Sequence, residues 1–186
     1  MSRPYHFVTT WRVKGTLEEV KAVLGDGPGL PRWWPSVYLD VKEIDPGAPD
    51  GLGRTLRLHT KGWLPYTLKW DLSVTRVMSD AGFSIGAAGD LTGTGDWTFE
   101  PQGSEVVITY VWQVAASKPL LRRLAWLLRP AFAANHHWAM NRGQESLQLE
   151  MRRLRATTPE ELAAIPPPPP ATFGRLARRG STDTGG

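Results

Sequence analysis

The sequence predicts an α+β domain: a curved seven-stranded antiparallel sheet wrapped around one long C-terminal helix, with a short helical pair after the first strand. Three observations carry this. Seven runs between residues 5 and 116 alternate apolar and polar side chains, the period of a half-buried strand. The connections between them are short and rich in turn residues, which suits antiparallel neighbours. One long stretch then follows with apolar residues every three or four positions, the spacing of an amphipathic helix. Residues 1–155 form this domain, and residues 156–186 a Pro-rich, disordered tail.

The elements follow in order. In YHFVTTWRVK, Phe7, Thr9, Trp11 and Val13 share one strand face, and His6 falls on the other. Thr16 and Glu19 have the spacing of a capping box, and Val20, Val23 and Leu24 give the short helix that follows. GDGPGLPRWWP is a loop with one helical turn carrying Trp33 and Trp34. In SVYLDVKEI, Val37, Leu39 and Val41 face inward. The next strand places Leu56 and Leu58 inward, with Arg57, His59 and Lys61 outward. Tyr66, Leu68, Trp70, Leu72 and Val74 then line one face, followed by Phe83, Ile85 and Ala87. Leu91, Trp97 and Phe99 continue the face, and Val106, Ile108, Tyr110, Trp112 and Val114 complete it. The long helix buries Leu154, Met151, Leu147, Gly143, Met140, His136, Ala133 and Trp126, with Pro130 expected to kink or split it. The five prolines Pro166–Pro170 form an extended, exposed segment.

Composition narrows the function classes. The 186 residues contain no cysteine, which excludes disulfides, thiolate metal sites and a cysteine nucleophile. No apolar run reaches the ~18 residues that span a bilayer, and the first residues lack a signal-peptide core, so a cytoplasmic location is expected. The net charge of +4 is uneven. Residues 1–116 hold 11 basic and 13 acidic side chains, whereas residues 117–155 hold 8 and 2. Basicity confined to one helix face does not suit a nucleic-acid partner. Arg122, Arg123 and Arg129, beside Leu120, Leu121, Leu124 and Trp126, suit water or at most a transient membrane contact.

The unusual number is nine tryptophans against five phenylalanines and four tyrosines. A sheet covered by one helix leaves either a solid core or a lined space, and the inward set is strongly aromatic. Candidate ligand-binding residues are Trp11, Trp33, Trp34, Trp70, Phe83, Trp97, Tyr110, Trp112, His136 and Met140. The same rings can equally fill a core. Trp33 and Trp34 can gate the space or plug its end, while Trp63 sits at a strand end and Trp138 on the helix. In GDLTGTGDW, Gly93 and Gly95 make room for a ring, a ligand or a bend. That phrase is no dinucleotide fingerprint, and Asp90 and Asp96 face away. His136 and His137 point about 100° apart on a helix, and Met140 and Asn141 occupy the ligand positions that follow, so no metal site is expected. Catalytic candidates are His136 and Tyr110; Asn135 can orient a ligand, and no cofactor motif is found.

Several phrases, in this order, resemble one family. They are FVTTW, LEEVKAVL, RWWP, GLG at 51–53, PYTLKW, GDLTGTGDW, YVWQV with the following KP, and NHHWAMNRGQESL. Over residues 4–155 the chain resembles the START/Bet v 1-like (SRPBCC) superfamily, and within it the bacterial polyketide cyclase/dehydrase and lipid-transport group. The resemblance implies a helix-grip fold with a hydrophobic ligand between sheet and long helix. It implies no single reaction, since members bind lipids, quinones, hormones or polyketides. The expected function is binding, transport or sequestration of a lipid-like or aromatic small molecule. The alternatives are a polyketide cyclase/dehydratase using the same space, or a protein-interaction module.

Overall fold

The computed structural model describes residues 4–116 and 119–172, with backbone alone for 116 and 119–129. Strands β1 (Tyr5–Lys14), β2 (Tyr38–Asp45), β3 (Thr55–Lys61), β4 (Thr67–Val77), β5 (Gly82–Gly89), β6 (Leu91–Gln102) and β7 (Glu105–Ala116) form one antiparallel sheet in the order β1-β7-β6-β5-β4-β3-β2. Strands consecutive in the chain pair as hairpins, except that β1 and β2 lie at opposite edges. The segment between them, α1 (Leu17–Gly25) and α2 (Leu30–Trp33), must therefore cross the sheet, and it closes one end of the concave face. Helix α3 (Pro119–Arg155) packs on β1, α1 and α2.

The capping box forms: Thr16 Oγ1 accepts from the Glu19 amide at 3.3 Å, and Glu19 Oε2 accepts from the Thr16 amide at 2.7 Å. The same carboxylate takes Arg155 at 2.5 Å, so the start of α1 holds the end of α3. That guanidinium, bonded at the carboxylate, lowers the Glu19 pKa to about 2. A second clamp is buried. Glu150, 2 % exposed, meets Arg32 of α2 and lies 3.6 Å from Arg153. A buried carboxylate is tolerated only with such partners.

Register places aromatic residues in rows. Thr9 pairs with Tyr110, Tyr110 with Trp97, and Trp97 with Phe83. Gly95 lies in the next row beside Trp112, and a Cβ there would sit 2.8 Å from the Tyr110 ring and 2.9 Å from Trp112. Its missing side chain lets Tyr110 stack on Trp97 at 4.0 Å and on Trp112 at 5.6 Å. Of the alternatives for GDLTGTGDW, Gly95 makes room for rings. On α3, Gly143 does the same for Trp34, whose ring occupies the place a Cβ would take.

Four expectations are corrected, and a fifth, a kink or a split at Pro130, loses its second alternative. Leu39 is 38 % exposed, because a bulge between Tyr38 and Asp40 shifts β2 by one residue, so that Tyr38 joins Val41 on the inward face. Lys61 is buried rather than outward; β3 ends there, with the Lys61 amide bonded to Val37 O. Leu154 is 57 % exposed, since the last turn of α3 is seated by Met151 and Arg155 instead. Pro130 does not split α3, which runs through it. The first part of the tail forms a short helix, α4 (Pro159–Ala163), capped by Thr158, and Pro168 and Pro169 beyond it are half-buried; the rest of the tail, 173–186, lies outside the described residues. The side chains of Leu120, Leu121, Arg122, Arg123, Leu124, Trp126 and Arg129 lie outside the described residues. No helix among the described residues is long and apolar enough to cross a membrane.

Gly143→Leu should therefore push Trp34 off the helix despite leucine's better helix propensity. The expected loss is about 1–3 kcal/mol, read as a lower urea midpoint at unchanged m value.

Candidate functional site

Two adjoining cavities lie between the sheet and α3. Lobe A, about 170 Å³, is bounded by the start of β1, the end of β3, β7 and the middle of α3. Lobe B, about 420 Å³, lies under α1 and α2 against β4, β5 and β6. Trp34, Tyr38, Trp70, Tyr110 and Met140 line both and form the partition. Exposed Lys21 and Asp50 mark the rim of lobe B. Tyr5, Tyr66 and Phe132 cluster edge-to-face at lobe A, with Phe132 5.9 Å from Tyr5 and 6.3 Å from Tyr66.

The polar groups are few. Trp70 Nε1 donates to Thr60 Oγ1 at 3.0 Å, which fixes the partition indole. Burial raises the pKa of the Tyr38 and Tyr110 hydroxyls and moves Tyr66 up to about 12. These phenols stay neutral and offer hydrogen bonds, not charge. Asn135 Oδ1 accepts from the Leu64 amide at 3.3 Å, tying α3 to the β3–β4 connection.

His136 stands at the wall of lobe A. Its ring stacks on Phe7 at 4.1 Å and 13°, and Nε2 lies 3.3 Å from Thr9 Oγ1. Burial, helped by the neighbouring His137, lowers its pKa to about 4, so the imidazole is neutral near pH 7. His137 is exposed, as helical geometry requires, and no group of three metal-ligating side chains occurs among the described residues.

Nine of the ten ligand-binding candidates line a lobe. Trp33, Phe83 and Trp97 line lobe B; Trp112 and His136 line lobe A; Trp34, Trp70, Tyr110 and Met140 line both. Trp11 lines neither. It lies behind the wall, 1 % exposed, edge-to-face with Trp34 at 5.6 Å and Trp97 at 5.5 Å. Trp33 and Trp34 are buried, so they are wall and partition rather than an exposed gate. His6 is exposed, whereas His59, Trp63 and Trp138 are half-buried. Sequence reasoning missed Tyr38, which the bulge hides, and Lys61, where strand parity ends. It also passed over Phe132, although counting back four residues from His136 would have found it.

The architecture can be set against known proteins. No protein-family model and no curated protein sequence matches the chain. Solved structures do match. The Zhui aromatase/cyclase from Streptomyces sp. R1128 superposes with a TM-score of 0.62 at 15 % identity, over 83 % of this chain and 98 % of that one. A Thermus thermophilus protein, TTHA0849, gives 0.62 at 16 % identity, over 83 % and 100 %. A START superfamily protein from Mycobacterium smegmatis gives 0.56 at 16 %, over 80 % and 98 %. This chain shares the helix-grip fold of these structures. In this helix-grip sheet, seven curved strands enclose more width than one helix covers, and the two lobes are what remains.

A neutral buried histidine makes stability depend on pH. The folded pKa of about 4 lies below the ordinary 6.5, so the unfolded chain binds the proton more tightly. Stability should be full above pH 6.5, fall as the pH drops toward 4, and level off below. The His136 share is about 3 kcal/mol. Urea midpoints of wild type and His136→Phe across this window should diverge, with the variant the flatter.

Proposed function

We propose that this chain binds an apolar, ring-containing small molecule in the two-lobed space between the sheet and α3. The observation that carries the reading is the space itself: two lobes of about 170 and 420 Å³ whose common wall is Trp34, Tyr38, Trp70, Tyr110 and Met140. Flat rings stacked or tilted at 4.0–5.9 Å from one another present π faces and edges to a guest of the same shape. Burial of apolar area drives such binding at ~25 cal/mol per Å², less the cost of association. The hydroxyls of Tyr38 and Tyr110 then orient the guest by neutral hydrogen bonds.

A neutral aromatic probe should bind saturably and quench tryptophan fluorescence. Ala139→Phe intrudes on lobe A and Leu72→Trp on lobe B. The substitution in the occupied lobe should weaken the probe about tenfold, and because the added ring enters existing space the loss of stability should not exceed the about 1–3 kcal/mol of an overpacked core. Saturable binding that ignores both substitutions would place the probe elsewhere and count against the reading.

One observation favours a second reading, turnover of a polyketide-like guest. His136 lines lobe A, held by Phe7 and Thr9, with its imidazole neutral, the state in which it can accept a proton. If such turnover exists, His136→Gln should abolish it while the probe still binds. Turnover that survives the substitution removes His136 from the chemistry.

A further inference from the structure

We propose that the guest is a ring ketone or quinone: its fused rings lie in lobe B, and its carbonyl oxygen accepts hydrogen bonds from the hydroxyls of Tyr38 and Tyr110 at the partition. The inference rests on the binding reading above and names its ligand class.

Each hydroxyl is brought to the partition by an irregularity of the backbone. The bulge after Tyr38 turns that ring inward, where it meets Trp34 edge-to-face at 5.2 Å. Gly95 leaves room for the other, since a Cβ there would sit 2.8 Å from the Tyr110 oxygen. The Tyr110 ring stacks on Trp97 at 4.0 Å and on Trp112 at 5.6 Å. Tyr110 is 7 % exposed, and both tyrosines line both lobes. Rings held in this way need little further ordering when a guest arrives. Lobe B, at about 420 Å³, falls within the about 300–1,000 Å³ of small-molecule pockets, whereas lobe A, at about 170 Å³, falls below it. The rings of the guest therefore belong in lobe B.

The polar groups of the partition point to an acceptor on the guest. Its five residues, Trp34, Tyr38, Trp70, Tyr110 and Met140, include no carboxylate and no cation. The Trp70 N–H is taken by Thr60 Oγ1 at 3.0 Å, and the Trp34 N–H is sealed from the lobes. Neither phenol hydroxyl has a hydrogen-bond partner among the described residues, and neither is sealed, so both open on the lobes. Burial raises both pKa values, and the nearness of Tyr38 raises that of Tyr110 further, so both stay protonated near pH 7. A phenol donates its proton more readily than it lends its lone pair, which the ring delocalises. Two such donors match the two lone pairs of one carbonyl oxygen. A bare hydrocarbon would leave two buried O–H groups unpaired, and a carboxylate would find no cation in the partition.

The test uses three probes of one tricyclic skeleton on the full chain: fluorenone, with a carbonyl; fluorenol, with a hydroxyl; and fluorene, with neither. Tryptophan quenching gives the affinities, and infrared difference spectra give the carbonyl stretch of bound fluorenone. On the wild-type chain that stretch should lie below its value in an alkane solvent. Tyr38→Phe and Tyr110→Phe should each lower the ratio of fluorenone to fluorene affinity about fivefold and move the stretch back toward the alkane value, with fluorene held within about twofold. Fluorenol should lose less than fluorenone. The inference fails if fluorenone and fluorene bind but the wild-type stretch equals the alkane value, or if the ratio survives both substitutions. It fails equally if fluorenol depends on the two hydroxyls as strongly as fluorenone. In each of these cases the binding reading stands. If no probe binds the wild-type chain saturably, both fail.

Discussion

How close α3 can come to the sheet is set by one contact, the Trp34 indole against the bare backbone of Gly143. The ring is as thin a spacer as an aromatic can be, and the glycine lets it lie directly on the helix. Around this point the helix is held at its far end by Arg155 on Glu19 and along its side by Glu150 on Arg32. Those attachments lie toward one end of the sheet. Away from them the concave face is wider than one helix can cover, and space remains on both sides of Trp34. The partition between the lobes is thus the same side chain that seats the helix.

A lined space of this kind is stable only if its walls hold their shape without a guest. The aromatic rows supply that rigidity. Trp97, Tyr110 and Trp112 stack across β6 and β7, and Trp11 braces Trp34 and Trp97 from behind. Three of the buried indoles, Trp11, Trp33 and Trp34, have no hydrogen-bond acceptor for Nε1 among the described residues. Edge-to-face packing offers the positive ring edge a π face in place of an oxygen. Large rings with few rotatable bonds are a reasonable material for such a wall, because they lose little entropy when fixed.

The elements were legible from residues alone because each is amphipathic on its own scale. Seven strands, the capping box at Thr16, and the row Met140, Gly143, Leu147, Met151 follow from periods of two and of three to four. Of the nine candidates that line a lobe, seven were read from the same periods, while Trp33 and Trp34 came from the short helical turn. The failures have local causes. The bulge at Leu39 reverses the face of Tyr38, and no composition signal marks it. Lys61 sits where the strand ends and parity stops applying. Leu154 has the right period but extends past the surface that α3 covers.

What the sequence by itself determined is the set of faces: which side chains turn inward, that they are aromatic, and that one helix must cover them. These follow from local backbone geometry, which a short window of residues contains. Only the tertiary structure decided whether the inward rings meet or leave a gap. That depends on the distance between α3 and the sheet, set by Gly143 and Trp34, residues more than a hundred positions apart. It also decided that the tail returns to Lys61 and Gly62. Contacts between distant parts of the chain depend on how layers pack, and packing has no period to be read.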